Sequence, residues 1–284
     1  MKSLVRLTAA VIALCLTGTA FAAASILVWP IDPVIEHDDS GAAIWLENNG
    51  KSASRIQIRA LRWTQANGAD ELVAQDSIVV SPPAAEIQPG QRQLLRLIRT
   101  VAVPPGKQEA YRILIDEIPG DSGAAPAGDG SGRHGQAPQA AADGGGSGRH
   151  GQAPQAAADG GAGLAFQLRY SVPLFVSGEG AWTREDLRKH PDPKTAAQPV
   201  LTYSVQNKAG QRWLVVRNSG AVHARLSQVG YTLAGREVWT VPGLLGYVLP
   251  GAEMRFEVPA AVQAGGVLKA HVNADREARV IAPR

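Results

Sequence analysis

Apolar and polar residues alternate along most of this chain, in short runs closed by turn residues. Between Ile26 and Pro119 the runs are ILVWPIDPVI, AAIWLENN, SRIQIRALRW, DSIVVSPP, RQLLRLIRT and YRILIDEIP. A period of two puts alternate side chains on one face, so each run predicts a strand with a buried side. Asn48-Asn49-Gly50, Asn67-Gly68 and Pro89-Gly90 supply turns, because Gly and Asn tolerate positive φ. Many short strands at regular spacing predict a β-sandwich. Pro30 and Pro33 interrupt the first run, which places it at a sheet edge or makes it switch sheets.

The longest alternation comes later. In LAFQLRYSVPLFV, Leu164, Phe166, Leu168, Tyr170, Val172, Leu174 and Val176 all fall on one face. With the earlier runs it completes the strand count of an immunoglobulin-like domain. Between Gly120 and Gly163 the composition collapses towards Gly, Ala, Pro, Ser, Gln and Asp, and GSGRHGQAPQAAADGG at Gly130–Gly145 returns unchanged at Gly146–Gly161. Such a tract cannot bury apolar surface and predicts a disordered, duplicated insertion. After a hinge at Ser177 to Gly180, further short runs from Leu201 to Asn273 predict a second, compact β-sandwich. Helical periodicity extends to no more than a turn at Arg184 to Lys189. The expected architecture is all-β: two immunoglobulin-like β-sandwich domains, residues 25–177 and 178–284, with a long disordered loop at 120–163 between the last two strands of the first.

Lys2 and Arg6, the apolar run Leu7 to Leu16 and then Ala20-Phe21-Ala22 have the layout of a secretory signal over residues 1–24, cleaved after Ala22 or Ala24. The mature chain is expected to have no membrane span. Cys15, the single cysteine, lies inside the signal, and Leu14 before it is a poor residue for lipoprotein processing. The mature chain therefore has no disulfide and rests on its core alone, for which about 260 residues suffice in two domains. Loss of Lys2 and Arg6 takes the formal charge from +3 to +1. With no basic run interleaved with aromatics, nucleic acid is not an expected partner.

Catalytic constellations are missing: there is no Gly-rich phosphate loop, no nucleophile elbow and no mature cysteine. His37-Asp38-Asp39 before Ser40-Gly41 reads as a polar turn, and His223 and His271 read as satisfied sandwich histidines. His134 and His150 in the duplicated tract lack ligands at metal spacing. No enzyme activity, cofactor or metal site is expected.

The arginines carry more. If YRILIDEIP runs antiparallel to LAFQLRYSVPLFV with Ile118 opposite Leu164, Arg112 falls opposite Tyr170 and beside Arg169, at the mouth of the interdomain cleft. Two guanidiniums there suit a carboxylate, since each is a permanently charged, planar fork of donors. The alternative is that either arginine pairs with Glu109, Asp116 or Glu117.

The export signal, the two sandwiches, Trp29-Pro30, QPGQRQLLRL at Gln88 to Leu97, DEIP at Asp116 to Pro119 and RYSVPLFV from Arg169 together resemble the periplasmic chaperones of the chaperone/usher pathway of pilus assembly. The resemblance implies a boomerang of two sandwiches in the periplasm. Its long strand would complete the open sheet of a pilus subunit until an outer-membrane usher takes the subunit. Leu164, Phe166, Leu168 and Tyr170 are the implied donor-strand residues. Familiar members hold the subunit's terminal carboxylate with an Arg in the first strand and a Lys in the long one. Here the first position is Ile26 and the second aligns near Leu168 or Arg169. YRILIDEIP with RYSVP is more similar to the divergent branch serving spore-coat-U-like subunits, which implies Arg112 as the anchor, with Arg169 second and Arg96 third. A self-capping dimer is a further implied partner state. Two competing readings are a structural subunit or adhesin module of a surface fibre, and a carbohydrate-binding protein with Trp182 and Trp239 lining a groove.

Overall fold

The computed structural model describes residues 26–118, 168–183, 186, 188–190 and 192–284. In the first sandwich the strands are β1 (Ile26–Trp29), β2 (Val34–Ile35), β3 (Gly41–Asn48), β4 (Ser54–Ala66), β5 (Ala69–Val73), β6 (Ile78–Ser81), β7 (Ala84–Ile87), β8 (Arg92–Arg99), β9 (Gln108–Ile118) and β10 (Arg169–Ser177). One sheet has the order β1-β3-β8-β6; the other runs β2-β10-β9-β4-β5, with β7 also on β4. The run broken by Pro30 and Pro33 thus switches sheets, β1 ending at one sheet's edge and β2 at the other's. β5 is exposed along its whole length, so it carries no alternation for a periodicity reading to detect.

The two sheets close over Ile44 and Leu46 of β3, Leu95 and Leu97 of β8, Ile56 and Ile58 of β4, Ile113 and Ile115 of β9, and Val172, Leu174 and Val176 of β10. Each such side chain contributes about 1.5–3 kcal/mol by leaving water. The inward face of β10 is therefore the face that its alternation specified. At one end, buried Asn48 donates to Ile87 O (2.7 Å) and Ser52 O (2.8 Å), tying the turn after β3 to β7.

The second sandwich comprises β11 (Leu201–Lys208), β12 (Gln211–Asn218), β13 (Ala224–Leu233), β14 (Arg236–Val248), β15 (Glu253–Val258), β16 (Val267–Val272) and β17 (Arg279–Pro283), in the order β14-β13-β16-β17-β11-β12-β15. β14 is one long strand that stays paired to β13 through register shifts. β17 joins the halves, antiparallel to β16 and parallel to β11. Leu214, Val216, Leu226, Tyr231 and Val272 lie at the core. Between the sandwiches, the amides of Lys189 and His190 donate to Asp186 O (3.0 and 2.7 Å), while Arg184, Glu185 and Leu187 of the expected turn lie outside the described residues. Trp182 is buried there and stacks on His190, and Trp239 packs against the second core. Trp182 is thus not free to line a sugar-binding groove, and Trp239 is only partly exposed.

Candidate functional site

The site is built on β10. One edge of the strand pairs with β9 along its full length, whereas the other meets β2 only at Phe175 and Val176. Among the described residues the second edge is open from Arg169 to Leu174. The amide of Glu117 donates to Leu168 O (3.0 Å) and that of Phe175 to Pro33 O (3.4 Å), so even-numbered residues bond to β9 and odd-numbered ones face the open edge. Pro173 is odd-numbered and has no N–H. The open ladder is interrupted there.

The register corrects the expected one. Arg112 is opposite Pro173, not Tyr170, and Arg169 is opposite Asp116, a shift of three residues along the strand. Hairpin turns set register locally, but the connection here is the long insertion, so packing of Tyr170, Val172, Leu174 and Val176 into the core decides instead. Arg112 and Arg169 end on the same outer face, yet four residues or about 13 Å apart along β10. They are not neighbours.

Arg112 extends into the junction of the two sandwiches. Its Cζ lies 3.6 Å from the centroid of the Trp63 ring and 5.4 Å from that of Tyr247. Its nearest carboxylate is Asp70, with Nη2 to Oδ2 at 4.0 Å, and among the described residues its guanidinium makes no hydrogen bond. Burial pulls its pKa below the ordinary value, with the charge of Asp70 acting the other way. It remains a cation, since an arginine is not deprotonated in proteins. Burying a cation with unused donors is costly, and an anion at this point would offset that cost.

Local structure explains these neighbours. Asn67 (φ 54°) and Gly68 (φ 80°) make the two-residue turn between β4 and β5, which sets Asp70 opposite Gln65. Gln65 donates to Asp70 Oδ1 (2.9 Å) and to Tyr247 O (3.0 Å), and accepts from the amide of Leu249 (2.8 Å). Trp63, Ala110, Phe175 and Leu249 form an apolar cluster between the sandwiches, with Tyr247 against it. His223 stacks flat on Phe175, centroids 3.4 Å apart. Its amide and Nδ1 both lie 2.8 Å from Gln108 Oε1, which accepts from them. Burial, then the charge of Arg225, depress its pKa to about 3, so it is neutral and satisfied as the sequence suggested.

Arg169 pairs with Asp116, and Asp116 also accepts from Arg59 (2.8 Å). The alternative of a surface ion pair is thus realised for Arg169. Glu109 is taken by Arg62 (2.7 Å), leaving Arg112 aside. Arg96 is exposed on β8 of the other sheet, paired across to Ala43 and Ser81, and does not approach Arg112. Ile26 is core. Leu168 is half-buried and Tyr170 packs against the first core, while Leu164 and Phe166 lie outside the described residues. His37-Asp38-Asp39 is a turn, clasped by Lys189 at Asp38 (3.0 Å) and Asp39 (2.8 Å). Sequence reasoning missed Trp63, Tyr247 and Arg225; their period-two positions opposite core residues marked them as outward-facing, though not as meeting one another.

Residues 33–132 match the profile of the pili and flagellar-assembly chaperones, PapD N-terminal domain. The match falls on the first sandwich, which is thus similar to a pilus-chaperone N-terminal domain. Over 92% of its length the chain is similar to a pilus chaperone in the CsuC–CsuE chaperone–tip adhesion subunit pre-assembly complex, from the archaic chaperone–usher Csu pili of Acinetobacter baumannii. The identity is 29%, the TM-score 0.65, and all of that chain is covered. The pilus-chaperone fold recurs in YadV (12% identity, TM-score 0.51, covering 90% of this chain and 97% of that one). It recurs again in the Salmonella enterica complex of SafA pilin with the SafB chaperone (14%, 0.52, 90% and 94%). No curated protein matches the chain in sequence. The pilus-chaperone family is not an enzymatic one. Among the described residues no helix is long and apolar enough to cross a membrane.

Proposed function

We propose that this protein is a periplasmic chaperone that adds β10 and the residues before it to the unfinished sheet of a pilus subunit, holds the subunit's C-terminal carboxylate at Arg112, and delivers the subunit to an outer-membrane usher. The observation that carries the reading is the open edge of β10, interrupted at Pro173 directly opposite a half-buried cation with unused donors. Main-chain ladder bonds along Arg169–Leu174 supply affinity, and Leu164, Phe166 and Leu168, ahead of the chaperone's own core, supply side chains for the subunit's pockets. Tyr170 stands at the boundary, packed on the chaperone's side. Arg169 and Arg96 rank behind Arg112 as anchors, one already paired and the other on the wrong sheet.

The similarity to a chaperone of an archaic pathway supports the divergent branch. The subunit reading is disfavoured because β1 and β2 are already paired within the chain's own sheets, leaving no strand extension between Ile26 and Ile35 to lend. The test is co-expression with secreted β-rich subunits encoded beside it. A subunit that co-purifies and needs this chain to accumulate in the periplasm is expected; failure of every neighbour to do so overturns the reading. The same open edge accepts a second copy, and sedimentation without subunit reports a capping dimer.

A further inference from the structure

Two residues of the second sandwich reach the same junction. Arg225 on β13 and Tyr247 on β14 are cross-strand partners, so their side chains leave one face from backbones about 5 Å apart. Ala224 and Leu226, flanking Arg225, are buried in the second core, which turns Arg225 outward. That outward face meets the first sandwich. The Tyr247 ring centroid lies 5.4 Å from that of Trp63 and 6.0 Å from that of Phe175, and Arg112 is 5.4 Å away on the other side of the junction. Burial lifts the pKa of the Tyr247 phenol while the charges of Arg225 and Arg112 both act to lower it. Arg112 thus lies against this ring from one sandwich, and Arg225 is its cross-strand neighbour in the other.

The junction holds donors without partners. Among the described residues the guanidinium of Arg225 and the hydroxyl of Tyr247 make no hydrogen bond, and Arg112 has only Asp70 at 4.0 Å. Among the described residues the buried indole N–H of Trp63 has no acceptor. The carboxylates nearby are Asp70, already bonded by Gln65, and Asp32, whose charge is felt by Tyr247; both are exposed. Buried donors are ordinarily satisfied, and two half-buried like charges repel unless an anion sits between them.

We propose that Arg225 and Tyr247 complete the carboxylate site begun by Arg112, so that the C-terminal carboxylate of a bound polypeptide is held by both sandwiches at once. The inference rests on the reading of Arg112 as the anchor. A carboxylate has two oxygens with room for about four hydrogen bonds, enough for a fork from each arginine and one phenol. A chain end paired with the open edge arrives where the ladder breaks, at Pro173, two residues before the Phe175 that stacks on His223.

The probe is a soluble peptide of alternating Val and Thr with lysines at its N-terminus, made as the free acid and as the C-terminal amide. Each form is titrated calorimetrically into the full chain and into Arg225→Ala, Arg225→Met, Tyr247→Phe and Arg112→Ala, with melting temperature as the control for folding. The unmodified chain should prefer the acid by about tenfold or more. Arg225→Ala and Arg225→Met should each cut that preference by about tenfold and Tyr247→Phe by about threefold, with amide binding unchanged. Arg225→Met keeps the apolar stem, so an effect of Arg225→Ala alone would mean packing and overturn the inference. If Arg112→Ala loses the preference while both Arg225 variants keep it, the anchor is Arg112 alone and the composite site is wrong. If the unmodified chain does not distinguish acid from amide, the composite site and the Arg112 reading fall together.

Discussion

Pro173 lies directly opposite Arg112 across the β9–β10 ladder. The proline removes a donor from the open edge of β10 at the level where the arginine leaves the outer face of the sheet. A strand added to this edge runs out of ladder bonds where a cation with unused donors begins. On the proposed reading, this pairing of an incomplete edge with a charge is what gives an added strand's terminus a defined address.

Replacing that charge should be the most damaging change to capture. A charge-assisted contact to a partly desolvated carboxylate is worth about 1.5–3 kcal/mol, so Arg112→Ala should weaken subunit binding by roughly ten- to a hundredfold. Arg112→Lys should recover only part, because an ammonium lacks the planar fork. Calorimetry against a co-purifying subunit measures both, and a folded, monomeric Arg112→Ala that binds normally removes the anchor from β9.

Arg169→Ala should do little by comparison. The side chain is mostly exposed and its partner Asp116 keeps Arg59, so the loss lies in the range of about 0–1 kcal/mol of stability. Capture should change less than threefold. A larger fall would move the anchor to β10.

Asp70 is the resident carboxylate nearest Arg112 and competes with any incoming one. Asp70→Asn keeps an acceptor for Gln65 and removes the charge, so subunit or free-acid peptide should bind a few-fold more tightly, an effect on the order of 0.5–1 kcal/mol for an exposed pair. Weaker binding would show instead that Asp70 holds Arg112 in its productive position.

His223 makes the junction sensitive to acid. Its pKa is depressed to about 3 by burial and by the charge of Arg225, with Tyr247 the other titratable ring against it. In the unfolded chain it titrates near the ordinary value of about 6.5. Between these values the unfolded state binds the extra proton, so the contribution of His223 is whole above about pH 6.5 and falls by about 1.4 kcal/mol per pH unit below it. Thermal melts from pH 7 to pH 4 should show this slope in the unmodified chain and a flatter one in His223→Gln. Equal slopes would mean that the ring is protonated in the folded state.

Deleting residues 130–161, the duplicated tract, should leave folding and capture nearly unchanged. Loop closure depends on length only logarithmically, about 0.6 kcal/mol for each halving. A subunit that no longer binds the shortened chain would make the tract a recognition element.

Alternation by itself determined that the chain is all-β, which face of β10 is buried, that its first run breaks at the prolines, and that Arg112 belongs to the strand before the long insertion. These follow from side-chain period and backbone chemistry, both local. Composition alone marked residues 120–163 as unable to form a core. Register was not local: with the long insertion between β9 and β10, only burial of Val172, Leu174 and Val176 against the opposite sheet set Pro173, not Tyr170, across from Arg112 and sent Arg169 to Asp116. The tertiary structure also brought Trp63, Tyr247 and Arg225 to one junction, although 184 positions separate Trp63 from Tyr247 in sequence. Contacts between two sandwiches depend on which outward faces meet, and a period-two pattern says that a face is outward without saying what it will meet.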